Sequence, residues 1–229
     1  MVGATPRQVR AVIDRLFRDG AAVSRADRSK HELFPVGIPA AEGECLREWV
    51  KRENAATTIE IGLGYAISTL FICEGLLANK PEGARHLAID PNQARRFANC
   101  GLQFVEDAGV HEMLEFHAKP SEILLPRLVG EGRGFDFAFV DGNHRFDGVF
   151  VDLFYLGRLI RPGGIIFVDD YQLPGIARAA SFFVKNLDWT LEEESAADPV
   201  HQWAVLRTAK GPDKRHFHVL RRLLEIWVT

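Results

Sequence analysis

The feature that most restricts the fold of this chain is the alternation of short apolar runs with longer segments of helical periodicity. Strands that alternate with helices favour parallel βαβ units, and nearly unbroken runs of Ile, Phe and Val favour strands covered on both faces. The predicted strands are Thr57 to Ile61, Arg85 to Asp90, Met113 to Ala118, Phe135 to Val140 and Gly164 to Asp169. The predicted helices between them are Ile67 to Ala78, Asn92 to Ala108, Ser121 to Val129 and Phe146 to Leu159.

The last part of the chain departs from this alternation. Trp189 to Glu194 and Gln202 to Arg207 are two further strand candidates, separated by a short polar loop. A loop of this length permits an antiparallel hairpin but no helical crossover. The sequence therefore predicts an α/β fold with a doubly wound, mostly parallel, seven-stranded sheet and a terminal antiparallel hairpin. A last amphipathic helix is predicted over about Lys214 to Trp227.

The first part of the chain is also distinct. Residues 1–39 are predicted to form a helical appendage or lid, and residues 40–229 to form the main domain. Apolar residues at helical spacing predict a helix over Arg7 to Phe17, and a second helix is predicted over Ala40 to Arg52. The appendage and the last helix suggest a homodimer, but either element is equally able to pack on its own domain.

Composition narrows the functional class. The chain has 229 residues, of which 47% are hydrophobic, and this favours one large domain. A formal net charge of −3 and the lack of a basic region give no sign of a nucleic-acid partner. Three distant cysteines argue against a disulfide framework and favour a reducing cytoplasm. Neither a signal peptide nor a membrane-spanning run is predicted.

The first predicted strand ends in the glycine loop "EIGLGYAIST", Glu60 to Thr69. Glycines allow a tight turn and let the backbone approach a ligand closely. A dinucleotide fingerprint requires a third glycine at the position of Ile67, so that interpretation fails. The second strand ends in Asp90, a carboxylate placed to hold a ribose diol. A tight turn without a ligand is the alternative.

Carboxylates also end two later strands. Asp141 follows the fourth strand, Asp169 and Asp170 end the fifth, and His144 lies three residues beyond Asp141. Converging carboxylates repel one another unless protons or a cation neutralise them, and oxygen ligands favour a hard cation such as Mg²⁺. His144 titrates in the range of a useful general base. A helix-capping turn, a solvated loop and a surface histidine are the alternative interpretations of these positions.

These motifs together resemble those of a known family. "IEIGLGYAIST", "LAID", "FDFAFVDGNH" and "RPGGIIFVDD" occur in the order and spacing of class I S-adenosylmethionine-dependent methyltransferases. The chain is most similar to small bacterial O-methyltransferases related to catechol O-methyltransferase and to macrolide-sugar O-methyltransferases. The resemblance covers roughly residues 40–207 and implies the Rossmann-like methyltransferase fold. One departure is Ala66, where the family usually has a third glycine.

The resemblance also implies roles for individual residues. The cofactor S-adenosylmethionine is expected to contact residues of four segments, and a divalent metal is expected on three carboxylates with His144 as the base. The implied cofactor residues are Glu60, Gly62, Gly64 and Ser68 at the methionine moiety, Asp90 at the ribose, Lys119, Pro120 and Ser121 at the adenine, and Asp141 at the sulfonium. The implied metal ligands are Asp141, Asp169 and Asp170, and Asp141 and His144 are the implied catalytic residues.

The predicted activity is methyl transfer to a hydroxyl of a small molecule such as a phenol, catechol, sugar or polyketide. In-line displacement at a sulfonium needs a good nucleophile, and a divalent cation lowers the pKa of a bound hydroxyl. The alternatives are a metal-independent N- or O-methyltransferase and a cofactor-binding module without catalysis. A nicotinamide oxidoreductase is disfavoured by Ile67 and by the terminal hairpin. The acceptor itself is left open.

Overall fold

The computed structural model describes residues 4–79, 83–195 and 200–211, which fall into two compact units. The first unit extends to Leu124 and the second begins at Leu125. The strand order of the seven-stranded sheet, numbered along the chain with the two hairpin strands of the N-terminal region as β1 and β2, is β5-β4-β3-β6-β7-β9-β8. The mostly parallel sheet with its terminal antiparallel pair confirms the predicted fold class. The predicted last helix, Lys214 to Trp227, lies outside the described residues.

The first unit contains two helices and a small hairpin before the parallel strands begin. Its strands β3, β4 and β5 pair in parallel, with Glu60 opposite Ala88 and Ala88 opposite Phe116. The elements are α1 (Pro6–Asp19), β1 (Ala21–Val23), β2 (Lys30–Glu32), α2 (Ala40–Arg52), β3 (Thr57–Ile61), α3 (Ile67–Asn79), β4 (Arg85–Ile89), α4 (Gln93–Arg96), α5 (Cys100–Asp107) and β5 (Leu114–His117), followed by α6 (Ser121–Gly130).

Helix α1 begins and ends at clear local signals. Thr5 and Gln8 form a capping box, Pro6 opens the first turn, and Gly20 ends the helix at a φ of 62°. Its buried face, with Val9 and Ile13 among its members, packs against α3. The described part of the predicted appendage therefore shares the core of the first unit.

The β1–β2 hairpin, which the sequence analysis did not predict, is anchored to the region of α4 and α5. The Ser24 hydroxyl donates to the Ala98 carbonyl at 3.1 Å, and the Arg25 amide donates to Gln103 Oε1 at 2.9 Å. Arg25 also forms an ion pair with Asp107. These bonds hold the hairpin against the helix that follows the second parallel strand.

The predicted helix Asn92 to Ala108 is wrong in its continuity. The structure ends α4 at Arg96 and begins α5 at Cys100. Ala98 and Asn99 between them have φ values of 46° and 59°, in the left-handed region that a continuous right-handed helix excludes.

The second unit completes the sheet. Its elements after α6 are β6 (Phe135–Val140), α7 (Phe146–Leu159), β7 (Ile160–Val168), α8 (Pro174–Asn186), β8 (Thr190–Glu194) and β9 (Ala204–Arg207). Strands β6 and β7 are parallel, with Phe139 opposite Phe167, and both side chains are fully buried. Strand β9 pairs antiparallel with β7 and with β8, as predicted for the terminal hairpin. Every residue of β8 is exposed.

Two predictions in this unit need correction. Strand β7 begins at Ile160 rather than Gly164, because Ile160 already pairs with Phe135. Regular pairing then resumes at Phe137 opposite Ile165, after a register shift. Helix α8 was not predicted at all, although Pro174 at its first turn is a start signal. None of the helices in the described ranges is both long and apolar enough to cross a membrane.

Candidate active site

The glycine loop leaves β3 through a series of left-handed residues. Gly62 and Gly64 have φ values of 99° and 51°, and the Gly62 amide donates to the Ile89 carbonyl at 2.9 Å. Ala66 follows with a φ of 59°, which explains why a glycine is expected at this position. A Cβ in this conformation costs about 1 to 2 kcal/mol. The loop thus adopts the turn for which its glycines are suited, with one strained alanine.

Asp90, directly after β4, is held by donors from three residues. Its Oδ1 accepts from the Asn92 amide at 2.7 Å, and its Oδ2 accepts from the Gly64 amide at 3.0 Å. The side chain is only 4% exposed, so these bonds replace hydration. The structure therefore brings Asp90 into direct contact with the glycine loop.

Gln93 is a site residue that the sequence analysis missed. Its Nε2 donates to Asp90 Oδ2 at 2.9 Å and to the Gly64 carbonyl at 2.5 Å, while its Oε1 is buried without a hydrogen-bond partner. Gly101 allows this arrangement, because a Cβ there would lie 2.5 Å from the Gly64 carbonyl. No local signal marks Gln93, since its role depends on the approach of α5 to the loop.

The remaining predicted residues of the first unit fall into two groups. Glu60 is fully buried and accepts hydrogen bonds from the hydroxyls of Ser68 and Thr69. Lys119 is exposed just before α6, and Pro120 accepts from the Ile123 amide at 3.2 Å in its first turn, where Ser121 is half-buried.

In the second unit the structure brings together Asp141, His144 and Asp170. His144 Nε2 lies 3.0 Å from Asp170 Oδ2 and 3.4 Å from Asp141 Oδ1. One ligand atom of each residue lies within 4.8 Å of the others. Their positions follow from the sheet, because β6 and β7 are paired neighbours and the Asp169 amide continues the pairing with the Val140 carbonyl at 3.0 Å.

Asp169 occupies a different position. It is buried, its Oδ1 accepts from the Asp170 amide at 2.6 Å, and among the described residues it is not a member of this carboxylate–histidine cluster of Asp141, His144 and Asp170. Asp170 itself has a φ of 54° and accepts from Gln172 Nε2 at 2.8 Å. The turn after β7 is thereby fixed on both sides of Asp170.

Known proteins are similar to this chain over the residues that form these arrangements. A family model described as a methyltransferase domain matches residues 59–171, a range that holds the glycine loop, Asp90 and the carboxylate–histidine cluster. Over this range, just under half of the chain, the protein resembles the class I S-adenosylmethionine-dependent methyltransferases. Caffeoyl-CoA O-methyltransferase 1 of Eucalyptus globulus is 29% identical over 195 residues, which cover 80% of this chain and 75% of that protein.

Two further comparisons agree. Tapetum-specific methyltransferase 1 of Arabidopsis thaliana is 36% identical over 141 residues, covering 60% of this chain. The match spans 56% of that relative's own length, little more than half. The crystal structure of an O-methyltransferase from Bacillus cereus, in complex with S-adenosylhomocysteine, has a TM-score of 0.68 at 17% identity, and covers 89% of this chain and 91% of that one. At this identity the likeness establishes the fold.

The loop that carries His144 depends on Gly148. A Cβ at Gly148 would lie 2.5 Å from Asn143 Nδ2 and 2.8 Å from Asn143 Cβ, so the whole Asn143 side chain packs in the space that glycine leaves. Asn143 Oδ1 in turn accepts from the Arg145 amide at 3.1 Å. These two contacts fix the residues on either side of His144.

The carboxylates change the protonation of His144. The hydrogen bond with Asp141 raises the pKa of His144 above its usual range, the charges of Asp170 and Asp169 act in the same direction, and partial burial opposes them. The nearer carboxylate oxygen belongs to Asp170, so both members of the cluster contribute to holding the proton. The pKa of His144 therefore reports directly on the charge beside it.

The donor atoms of the cluster suit a divalent cation. Two carboxylate oxygens within one small volume fit Mg²⁺ or Mn²⁺, which take oxygen ligands and accept additional water or substrate oxygens, while the imidazole beside them stays available as a base. Asp141 and Asp170 are half-buried, so both remain accessible to an ion from solvent. The residues present therefore fit the metal that the family resemblance implies.

Proposed function

We propose that the protein transfers the methyl group of S-adenosylmethionine to a hydroxyl oxygen of a small molecule. The observation that carries this proposal is the carboxylate–histidine cluster, in which a histidine with a raised pKa lies between two carboxylates at the ends of adjacent strands. Relatives whose names describe O-methyl transfer to caffeoyl-CoA support oxygen as the acceptor atom. Phenols, catechols, sugars and polyketides all carry a suitable hydroxyl.

The cofactor is assigned to the residues that the sequence identified. The glycine loop and Ser68 are proposed to hold the methionine moiety, and Asp90 to accept from the ribose hydroxyls. Lys119, Pro120 and Ser121 are proposed to flank the adenine, and Asp141 to lie at the sulfonium. Support comes from the left-handed glycine loop and from the direct bond between the Gly64 amide and Asp90.

The metal is assigned to Asp141 and Asp170. The third predicted ligand, Asp169, is buried next to them and accepts from the Asp170 amide, so we propose that it supports the site. When bound, a divalent cation would make an acceptor hydroxyl more acidic and orient it. The chain's own contribution is to hold the carboxylates in place through the fixed turn after β7 and through the Gly148–Asn143 contact.

His144 is proposed as the general base. Its Nε2 points at two carboxylates, so a proton taken from the acceptor would be stabilised as it arrives. A base in this position has to be deprotonated before the reaction, and a nearby cation would favour that state by offsetting the carboxylate charge. His144 would thus be ready to take the proton of the acceptor when a cation is bound at the cluster.

An aromatic acceptor is favoured by the residue two positions further on. Phe146 is 49% exposed, and its ring packs on Phe150 with centroids 5.6 Å apart. Planar aromatic rings pack well on an exposed ring of this kind. This observation favours phenols and catechols over sugars as acceptors.

The domain organisation, location and assembly of the protein are also proposed here. Residues 1–39 are proposed as an appendage to a catalytic domain over residues 40–229, in a cytoplasmic enzyme that acts without a nucleic-acid or membrane partner. A homodimer is proposed as the assembly. Truncation at residue 40, followed by sedimentation and cofactor titration, separates a removable lid from a structural part of the first unit.

The test of the function begins with calorimetric titration of S-adenosylhomocysteine, with NAD as the control. Micromolar binding of the adenosyl ligand alone supports the cofactor assignment, and absence of binding would contradict it. An acceptor screen with Mg²⁺ and with EDTA follows. Turnover that survives EDTA indicates the metal-independent alternative. Cofactor binding without turnover on any acceptor, unchanged by His144→Ala, indicates a non-catalytic module.

A further inference from the structure

A buried histidine, His86, lies beside Glu60 of the glycine loop and takes no part in the proposed methyl transfer. His86 lies in β4 opposite Thr58 of β3, and its side chain is fully buried. Its Nε2 is 3.0 Å from Glu60 Oε2, and its Nδ1 is 2.8 Å from Thr58 Oγ1. A buried imidazole with both nitrogens engaged is part of a specified polar network, because unpaired polar groups in such a position are costly.

The carboxylate of Glu60 is the centre of this network. It is fully buried in β3 and accepts from Ser68 through Oε1 and from Thr69 and His86 through Oε2. Three donors on one buried carboxylate fix its rotamer. The Ser68 and Thr69 hydroxyls, both in the first turn of α3, are held in turn by this carboxylate.

The geometry also assigns the tautomer of His86. The Thr58 hydroxyl lies 2.8 Å from Nδ1 and 3.5 Å from the Arg85 carbonyl, so the shorter contact is its hydrogen bond. Thr58 therefore donates to Nδ1, which leaves the proton of a neutral ring on Nε2. That proton is donated to Glu60, and the chain Thr58–His86–Glu60 has one direction throughout.

We propose that His86 is a positioning residue for the methionine half of the cofactor. The inference rests on the proposed function, in which the glycine loop and Ser68 hold that half. His86 acts through Glu60, which orients the first turn of α3. With Glu60 itself fully buried and its oxygens engaged, its influence on the cofactor passes through Ser68 and Thr69. Asp90, which holds the ribose, shares no hydrogen bond with this network among those seen in the described residues.

This separation gives a selective test. S-adenosylhomocysteine contains the amino-acid half, whereas 5′-methylthioadenosine retains the adenine, ribose and thioether without it. His86→Phe keeps an aromatic ring but removes both hydrogen bonds. We expect it to weaken binding of S-adenosylhomocysteine by about tenfold or more, and binding of 5′-methylthioadenosine by less than about twofold. Both affinities are measured by calorimetry on the full chain.

Two further variants control the experiment. His86→Gln places an amide N–H toward Glu60 and is expected to recover most of the affinity for S-adenosylhomocysteine. His86→Leu, which also removes both hydrogen bonds, replaces His86→Phe if that protein does not fold. Leu87→Ala, at the neighbouring buried position of β4, lowers stability without touching the network, and is expected to leave the ratio of the two affinities unchanged.

The possible results separate a failure of the role of His86 from a failure of the proposed function. Equal weakening of both ligands, no weakening of either, or a folded His86→Gln protein that recovers nothing would each overturn the role of His86. In all three cases the wild-type chain still binds S-adenosylhomocysteine. A wild-type chain that binds neither ligand instead refutes the proposed function, and the role of His86 falls with it.

Discussion

The glycine-loop region of the first unit and the carboxylate–histidine cluster of the second use similar residues in opposite ways. Around Asp90 and Glu60 the carboxylates are buried and each accepts several hydrogen bonds. In the cluster, Asp141 and Asp170 are half-buried and share one histidine that is 53% exposed at its side chain. One region satisfies its charges internally, and the other leaves them accessible to solvent and to a ligand.

The difference separates stability from chemistry. Buried polar groups that are hydrogen-bonded fix a conformation, and removing one partner leaves the other unpaired, which lowers the free energy of unfolding. Like charges held together near solvent oppose folding slightly, and such arrangements persist where function needs them. We therefore expect substitutions in the glycine-loop region to act mainly on stability and cofactor affinity, and substitutions in the cluster to act mainly on turnover.

The largest effect is expected for His144→Ala. Loss of a general base lowers kcat by about 10²- to 10⁴-fold, while thermal stability changes little because the side chain is exposed. Turnover of an accepted substrate and the melting temperature provide the two measurements. Mn²⁺ affinity, followed by electron paramagnetic resonance, should remain within a few-fold. Complete loss of Mn²⁺ binding would instead make His144 a metal ligand.

The next effect concerns the support of the cluster. Gly148→Ala forces Asn143 out of its position, and we expect Mn²⁺ affinity to fall by about 10- to 100-fold, the range typical of supporting residues at metal sites. Gly157→Ala is the matched control in the same helix, because its Cβ would lie 2.8 Å from Trp189 Cζ2 and away from the cluster. Equal Mn²⁺ affinities for the two variants would show that Asn143 does not position the site.

A smaller effect, on stability, is expected for Gln93→Leu. The change removes the donor to Asp90 and to the Gly64 carbonyl, and should lower the free energy of unfolding by about 1 to 3 kcal/mol. Gln172→Leu breaks the bond to Asp170 and the bond from the Gln202 amide in the half-buried turn after β7, where water can substitute, and should cost less than about 1 kcal/mol. Urea titrations of both proteins compare the regions directly. A larger loss for Gln172→Leu would reverse the comparison.

Ala66→Gly should have a slight and favourable effect. Glycine relieves the left-handed strain at Ala66 but adds freedom to the unfolded chain, so the net gain is expected to stay below about 1 kcal/mol. Ala88→Gly in β4 is the control and should destabilise by about 0.5 to 1 kcal/mol, because glycine weakens a strand interior. Differential scanning calorimetry distinguishes the expected stabilisation by Ala66→Gly from the expected destabilisation by Ala88→Gly. Destabilisation by Ala66→Gly would show that the alanine Cβ contributes packing.

The smallest effect is expected in the pH dependence of stability. Because Asp141 raises the pKa of His144 in the folded state, protonated His144 stabilises the fold below the pKa of an ordinary histidine. That contribution is lost as pH rises through the higher folded pKa. A nuclear magnetic resonance titration of His144 should show the raised pKa, and Mg²⁺ should lower it. A pKa unmoved by Mg²⁺ at saturating concentration would place the ion elsewhere.

The sequence was sufficient where a signal is local. Strands β3 and β6 and helices α2 and α7 have their predicted bounds, because apolar periodicity and strand-ending acids and glycines mark them directly. The alignment of Asp141 and Asp170 with His144 was also foreseeable, since paired parallel strands end at one edge of a sheet.

The rest depends on contacts between distant segments. The break between α4 and α5 accompanies the bond from Ser24 to Ala98, which no local pattern announces. Gln93 and His86 acquire partners only when the loop and neighbouring strand approach them. Gly148 appears as an ordinary helix residue until Asn143 occupies the space above it. The roles of such residues depend on tertiary packing, so no sequence motif predicts them.

The exposed strand β8 also bears on how copies of the chain meet in solution. In the described part of the chain it lies at the end of the sheet and pairs on one side only, with β9. Its sequence, TLEEE, places three consecutive glutamates along the open row of backbone donors and acceptors. Two such edges brought together would set carboxylate against carboxylate before any ladder could form. We therefore expect these charges to oppose edge-to-edge pairing between copies of the chain.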